Sequence, residues 1–142
     1  MLLDMALALT ILLLLFAVVW PTFGGGTGSV LQSATALDIA TLLRADRTSA
    51  SRDGVPTSTR IDLRRRTVTD ATSRRVEVPP DIAIEVTTAA PCMRAAQQFI
   101  IVFAPDGSSC GGVIMLRKGA KAQAIRINWL SGMIDVVNVP KT

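Results

Sequence analysis

The pattern of hydrophobic and polar positions divides the chain into three stretches. Residues 2–21, LLDMALALTILLLLFAVVWP, form an apolar run that carries one charge, Asp4. About 20 such residues at 1.5 Å each cover the roughly 30 Å hydrocarbon layer of a bilayer, so the run predicts a membrane-spanning helix over 1–21. The alternative is a buried core helix, although soluble helices are seldom apolar all round. PTFGGGTG then packs one proline and four glycines into eight residues, which predicts a break in the helix over 22–28. Helical spacing returns over 29–53, with Ser29 as its cap. Val30, Ala34, Leu37, Thr41 and Ala45 form the predicted packing stripe, which Leu31, Ile39 and Leu42 broaden. Asp38, Arg44, Asp46 and Arg47 fall mostly on the opposite face, and Gly54-Val55-Pro56 ends the helix.

From residue 57 to 139 the period shortens. TRIDLRRRTVT, RRVEV, IAIEV, FIIVF, GVIMLR, AIRINW and MIDVVNV are short β-branched runs, several alternating with period two. Turn signals separate them, among them Pro79-Pro80-Asp81, Pro105-Asp106-Gly107 and Ser131-Gly132. Helices followed by antiparallel strands predict an α+β fold with one globular domain over 29–142. Trp129, Met115 and Met133 are expected in its core or at the core's edge.

Composition narrows the chemistry. The 142 residues are 49% hydrophobic, and much of the excess lies in the first run. Histidine is absent, which removes the commonest general base and metal ligand. Two cysteines are too few for a structural zinc site, and Ser-His-Asp and Cys-His catalysis are excluded. The chain reads as non-enzymatic, with no cofactor and no metal set. No Lys or Arg precedes Arg44, so the apolar run lacks the basic start of a cleaved signal peptide and reads as a retained anchor. Trp20 and Phe23 fall where an interfacial aromatic belt belongs.

Three groups of residues stand out. Asp4 would be costly in hydrocarbon, so it calls for an interfacial depth or a cationic partner. Arg60, Arg64, Arg65, Arg66, Arg74 and Arg75 lie close in sequence, with only Asp62 and Asp70 among them as acids before Glu77. Such a cluster suits a phosphate backbone, yet no aromatic lies between Phe23 and Phe99 to stack a base. A solvated face or a protein contact is therefore preferred over nucleic acid. Cys92 and Cys110 flank FIIVF and its turn. They are either a disulfide, if 92–97 runs beside that strand or the loop folds back, or two free thiols. The run 107–112 is read as an exposed, mobile contact loop, and PDGSS as a turn with too few carboxylates for calcium.

These residues carry a family resemblance. An apolar N-terminal helix with an acid near its start and a proline 17 positions later resembles the type IV pilin and pseudopilin class. ALDIATLLRADRTSASRDGVPTSTRIDL is similar to the helix-to-first-strand segment of the type II secretion pseudopilin H and FimT-related group. FIIVFAPDGSSCGGVIMLRKGAKAQAIRINWLSGMIDV resembles that group's C-terminal region, with its Phe-x-Pro-x-Gly turn, Gly-Gly strand and Gly-x-x-x-Val hairpin. The resemblance implies a minor pseudopilin in the bacterial inner membrane. Its globular domain would face the periplasm, and its partners would be other pseudopilins, the secretion assembly platform and secreted exoprotein. Asp4 would take the part of the assembly carboxylate that meets a neighbouring subunit's N-terminal amine, and Pro21 that of the kinking proline. The family carries Glu where this chain has Asp4, and it has a basic leader ending in Gly, which implies coding sequence upstream of Met1. The alternatives are a FimT-like minor pilin that binds DNA through arginines and a solitary membrane-anchored periplasmic domain.

Overall fold

The computed structural model describes residues 1–23, 27–88 and 92–140, and their side chains apart from 18–23, 27, 93 and 94. Two helices come first, α1 (Leu2–Phe23) and α2 (Thr27–Asp53). Nine strands follow: β1 (Thr57–Asp62), β2 (Thr67–Thr69), β3 (Arg75–Glu77), β4 (Ala83–Thr88), β5 (Met93–Ala95), β6 (Gln98–Phe103), β7 (Gly112–Lys118), β8 (Lys121–Ile127) and β9 (Ile134–Val139). Met1–Leu31 and Gln32–Thr142 form two compact units.

In the first unit, leucine and alanine dominate α1, and both are strong helix formers. Pro21 does not end this helix, which continues to Phe23. A proline forfeits one backbone hydrogen bond and crowds the preceding turn, but it need not stop a helix. Of the predicted break over 22–28, Thr22, Phe23, Thr27 and Gly28 are helical, and 24–26 lie outside the described residues. The second helix thus starts two residues before the predicted cap at Ser29.

The second unit is built on two antiparallel sheets, one ordered β3-β2-β1-β6-β5 and the other β4-β7-β8-β9. Alternation sets their inner faces. In the first sheet Ile61, Val68, Phe99, Ile101 and Phe103 are buried, while in the second Ile114, Leu116, Ile125, Ile127 and Ile134 are. All belong to one core with Ala36, Ile39, Ala40, Leu42, Leu43 and Ala50 of α2.

That buried face shares only Ile39 and Leu42 fully with the predicted stripe. Val30, Ala34, Leu37 and Thr41 are exposed, whereas Ala36, Ala40 and Ala50 are covered. Alanines let the helix axis approach the sheets closely, and the polar residues on the same face are satisfied there. Gln32 donates to the Leu116 carbonyl at 3.0 Å. Asp46, expected on the solvent face, is 2% exposed and accepts from the Thr59 hydroxyl at 2.6 Å and the Ala71 N–H at 3.2 Å. Arg44 donates to the Ile134 carbonyl at 2.9 Å. The hydrophobic pattern alone misplaces such a face, because small and bonded polar residues carry it.

The run TRIDLRRRTVT is likewise two strands and not one. Residues 63–66 turn the chain between β1 and β2, helped by the Arg65 N–H donating to Asp62 Oδ1 at 3.0 Å and by Arg66 at φ 57°. Strand β5 carries no alternation signal and is held by pairing with β6.

That pairing brings Cys92 back alongside β6, next to the Met93–Phe99 pair, and the loop after β6 folds towards it. Cys92 and Cys110 are joined as a disulfide, with Cα atoms 6.2 Å apart and a separation of 18 in sequence. Closing a loop of this length removes chain entropy from the unfolded state, which amounts to about 3 kcal/mol. Reduction of the full chain is therefore expected to lower its urea midpoint by about 2 M, given slopes near 1.5 kcal/mol/M. A midpoint that does not move under reductant would show that the bond adds no stability.

Candidate functional site

The first candidate element is α1. Asp4 lies in its first turn and is exposed, and a carboxylate there meets the positive end of the helix dipole. The large apolar side chains from Leu2 to Phe16 are exposed. Thr10 turns its hydroxyl back onto the helix, donating towards the Ala6 and Leu7 carbonyls at 3.0 and 2.9 Å. Asp4 is therefore the single charged side chain on the described surface of α1, which suits an apolar surrounding. Pro21 is within the helix, and its side chain lies outside the described residues. Among the described residues no helix is long and apolar enough to cross a membrane, and the described side chains of α1 end at Ala17.

The six arginines separate into two kinds. Arg66 is half-buried and turns inward, donating to the carbonyls of Val78, Pro79 and Ile82, so it ties the turn after β3 to the β1–β2 hairpin. Arg74 pairs with Asp70, whose side chain is fully buried, at 2.7 Å. Burial pushes the Asp70 carboxyl up, but hydrogen bonds from Thr72 and Arg74 outweigh it and hold the group below its ordinary value. Arg60, Arg64, Arg65 and Arg75 remain exposed. Register puts Arg60, Thr69 and Arg75 in one row across β1, β2 and β3, with the two arginines about 10 Å apart. The next row along the same face is Asp62, Thr67 and Glu77, so acids alternate with the bases. Among the described residues no group of three or more His, Cys, Asp or Glu is arranged to hold a metal ion.

A further feature lies at the end of the second sheet. Trp129 and Met133, expected in the core or at its edge, are 66% and 54% exposed, and Leu130 beside Trp129 is 66% exposed. They sit on the β8–β9 loop, whose backbone is closely bonded. Asn128 Oδ1 accepts from the Leu130 and Ser131 N–H groups at 2.9 and 3.0 Å, and the Ser131 carbonyl accepts twice from Arg47. The neighbouring loop after β6 packs against it, its Ser109 N–H donating to the Trp129 carbonyl at 2.8 Å. Gly107 and Gly111 are buried between the loops, so 107–112 is a packed support and not the exposed contact loop predicted. Alternation could not have revealed this, since apolar residues in a turn look like the ends of the flanking strands.

No protein-family model matches the chain, and no curated protein matches it at a significant level. Solved structures do resemble it. The minor pseudopilin EpsH of the Vibrio cholerae type 2 secretion system superposes with a TM-score of 0.60 at 11% identity, covering 75% of this chain and 95% of that one. The type IV minor pilin FimU of Pseudomonas aeruginosa, in two crystal forms, gives TM-scores of 0.57 and 0.55 at 11% identity. These matches cover 78% and 74% of this chain and 91% of each FimU chain. Likeness at this identity carries the fold, and the chain has the pilin-like α+β fold.

Proposed function

We propose, on the premise of this pilin-like fold, that the chain is a non-catalytic minor pseudopilin of a type II secretion system. In this reading α1 anchors the subunit in the bacterial inner membrane, and the Gln32–Thr142 unit lies in the periplasm at or near the tip of the pseudopilus. There it aids assembly and the export of protein across the outer membrane. The observation that carries the reading is an apolar helix with one acid in its first turn, joined to a pilin-like domain. A lone carboxylate among apolar side chains gains most from one cation placed beside it, because Coulomb attraction strengthens as water is excluded. The N-terminal amine of a neighbouring subunit supplies that cation. The alternating acids on the arginine face favour contact with protein, with the assembly platform and neighbouring pseudopilins as partners, over a nucleic-acid backbone.

Two measurements test this. Mass-spectrometric sequencing of the protein from its native host is expected to find a methylated hydrophobic residue directly before Met1; an unprocessed Met1 would overturn filament entry by this route. Asp4→Ala in the native host is expected to lower cross-linking of the subunit to other pseudopilins at least tenfold, with its level in the membrane unchanged. Unchanged cross-linking would remove Asp4 from assembly.

A further inference from the structure

The outer face of the first sheet carries charges that its own chain leaves unpaired. Register aligns them in two rows across β3, β2, β1 and β6. Arg75, Thr69, Arg60 and Ile100 form one row, and Glu77, Thr67, Asp62 and Gln98 form the next. Val76, Val68 and Ile61 lie between the rows and point the other way into the core, so the rows are about 7 Å apart along each strand. Arg60, Arg75 and Glu77 are exposed and Asp62 is half-buried. Among the described residues none of these four is in an ion pair within the chain. Asp62 accepts from the Arg65 N–H at 3.0 Å and from the Gln98 amide at 3.4 Å, which leaves its carboxylate with acceptor capacity to spare.

A face on which a basic row lies beside an acidic row is complementary to itself. Consider a two-fold axis that lies in the plane of contact, crosses the strands and passes between the rows. It sets each strand over its own equivalent, running in the opposite direction. Arg60 then falls over Asp62 of the second copy, Arg75 over Glu77, Thr69 over Thr67 and Ile100 over Gln98, and each pair is made twice. The charged pairs are all of opposite sign. An axis along the strands would instead place each row on itself, base against base, so the charges select one arrangement. The short threonines of β2 separate the charged positions of β1 and β3, so the longer side chains on either side can reach across. These four charges sum to zero, which offers little to a phosphate backbone. Two rows make a small contact, and exposed ion pairs each add little, so the pairing is weak, specific in register and salt-sensitive.

We propose that two copies of this chain associate through the outer faces of their first sheets, with the Arg60 and Arg75 row of each on the Asp62 and Glu77 row of the other. The inference deepens the protein-contact reading of the arginine face. It rests on the Gln32–Thr142 unit alone and does not require the anchor contact proposed above.

The test uses the full chain in detergent micelles with three proteins: wild type, a variant with both rows acidic (Arg60→Glu with Arg75→Glu) and a variant without the acids (Asp62→Asn with Glu77→Arg). Asparagine at 62 keeps an acceptor for the Arg65 N–H, and circular dichroism melts check that each variant folds. Sedimentation of the wild type is expected to show reversible dimers, weakened at least tenfold in either variant alone. Raising salt from about 0.1 M to about 1 M should weaken them comparably, since the screening length falls from roughly 10 Å to roughly 3 Å. Mixing the variants one to one restores pairing, because the acids of one meet the bases of the other. A wild type that stays monomeric, a dimer indifferent to salt, a variant that associates normally, or a mixture that does not recombine overturns the proposal. Register has its own readout. In a mixture of isotopically light and heavy Arg60→Lys chains, carbodiimide is expected to couple position 60 to Asp62 of another copy. Coupling confined to one chain, or to other carboxylates, also overturns the proposal. Repeating the coupling in Asp4→Ala keeps the two readings apart: loss of the anchor contact leaves the 60–62 link intact, and loss of that link leaves N-terminal methylation intact.

Discussion

Gly132→Ala is expected to destabilise the Gln32–Thr142 unit by about 4 kcal/mol, which in a unit of this size lowers Tm by roughly 15 °C. Gly132 has φ 65°, where a side chain costs about 1–2 kcal/mol. The larger part of the cost is steric. A methyl group there would run into the Gly107 carbonyl oxygen and meet Arg47 Nε at 3.0 Å and Cδ at 3.2 Å. Relieving that clash separates the loop after β6 from the β8–β9 loop and pulls Arg47 from the Ser131 carbonyl, at about 1 kcal/mol or more for each bond to a charged group. Gly54→Ala supplies the control. It has φ 68° and open space around the new methyl, so it should lose only the conformational cost, about 1–2 kcal/mol. Equal melting temperatures for the two variants would refute the clash.

Asp46→Ala should cost about 3 kcal/mol, measured as a loss of unfolding free energy in urea. The carboxylate joins three parts of the unit: α2, which carries it, β1 through Thr59, and the β2–β3 turn through the Ala71 N–H. Removal leaves the Thr59 hydroxyl, at 0% exposure, without its acceptor, and an unpaired buried donor costs about 1–3 kcal/mol beyond the bond itself. Acidity gives a second readout. Burial raises the Asp46 carboxyl above its ordinary value, partly offset by the bonds from Thr59 and Ala71. A group raised on folding stabilises while protonated, below about pH 3.9, and that contribution is lost as pH rises through the raised value. Wild type is therefore expected to lose stability relative to Asp46→Asn between about pH 4 and neutrality. Asp70 titrates in the opposite sense. Its lowered carboxyl stabilises above the ordinary range and loses that contribution as pH falls. A stability difference between wild type and Asp46→Asn that is flat over this range would show that Asp46 does not titrate differently on folding.

Strand positions were legible wherever one face of a strand is buried, because alternation records that directly. β4 reads as such in IAIEV and β8 in AIRIN, whereas β6 in FIIVF and β7 in GVIML read as short unbroken apolar runs bounded by turn signals. The same rule failed at β5, three residues that exist because β6 offers an edge to pair with, and at the β1–β2 turn, where arginines continue a strand-like run. The arginine cluster was visible in sequence as charge alone. Which members are tied into the fold depended on three carbonyls around Arg66 and on the buried Asp70 beside Arg74.

By itself the sequence determined the α+β order of elements, the apolar first helix with Asp4 in its opening turn, and most of the strands, since local periodicity and composition encode each of these. The tertiary structure decided which face of α2 is buried, because alanines and bonded polar groups such as Gln32 and Asp46 pack where larger hydrophobes would not fit. It also brought Cys92 to Cys110 and turned Trp129 outward, since both depend on contacts between segments far apart in the chain, which no local pattern records.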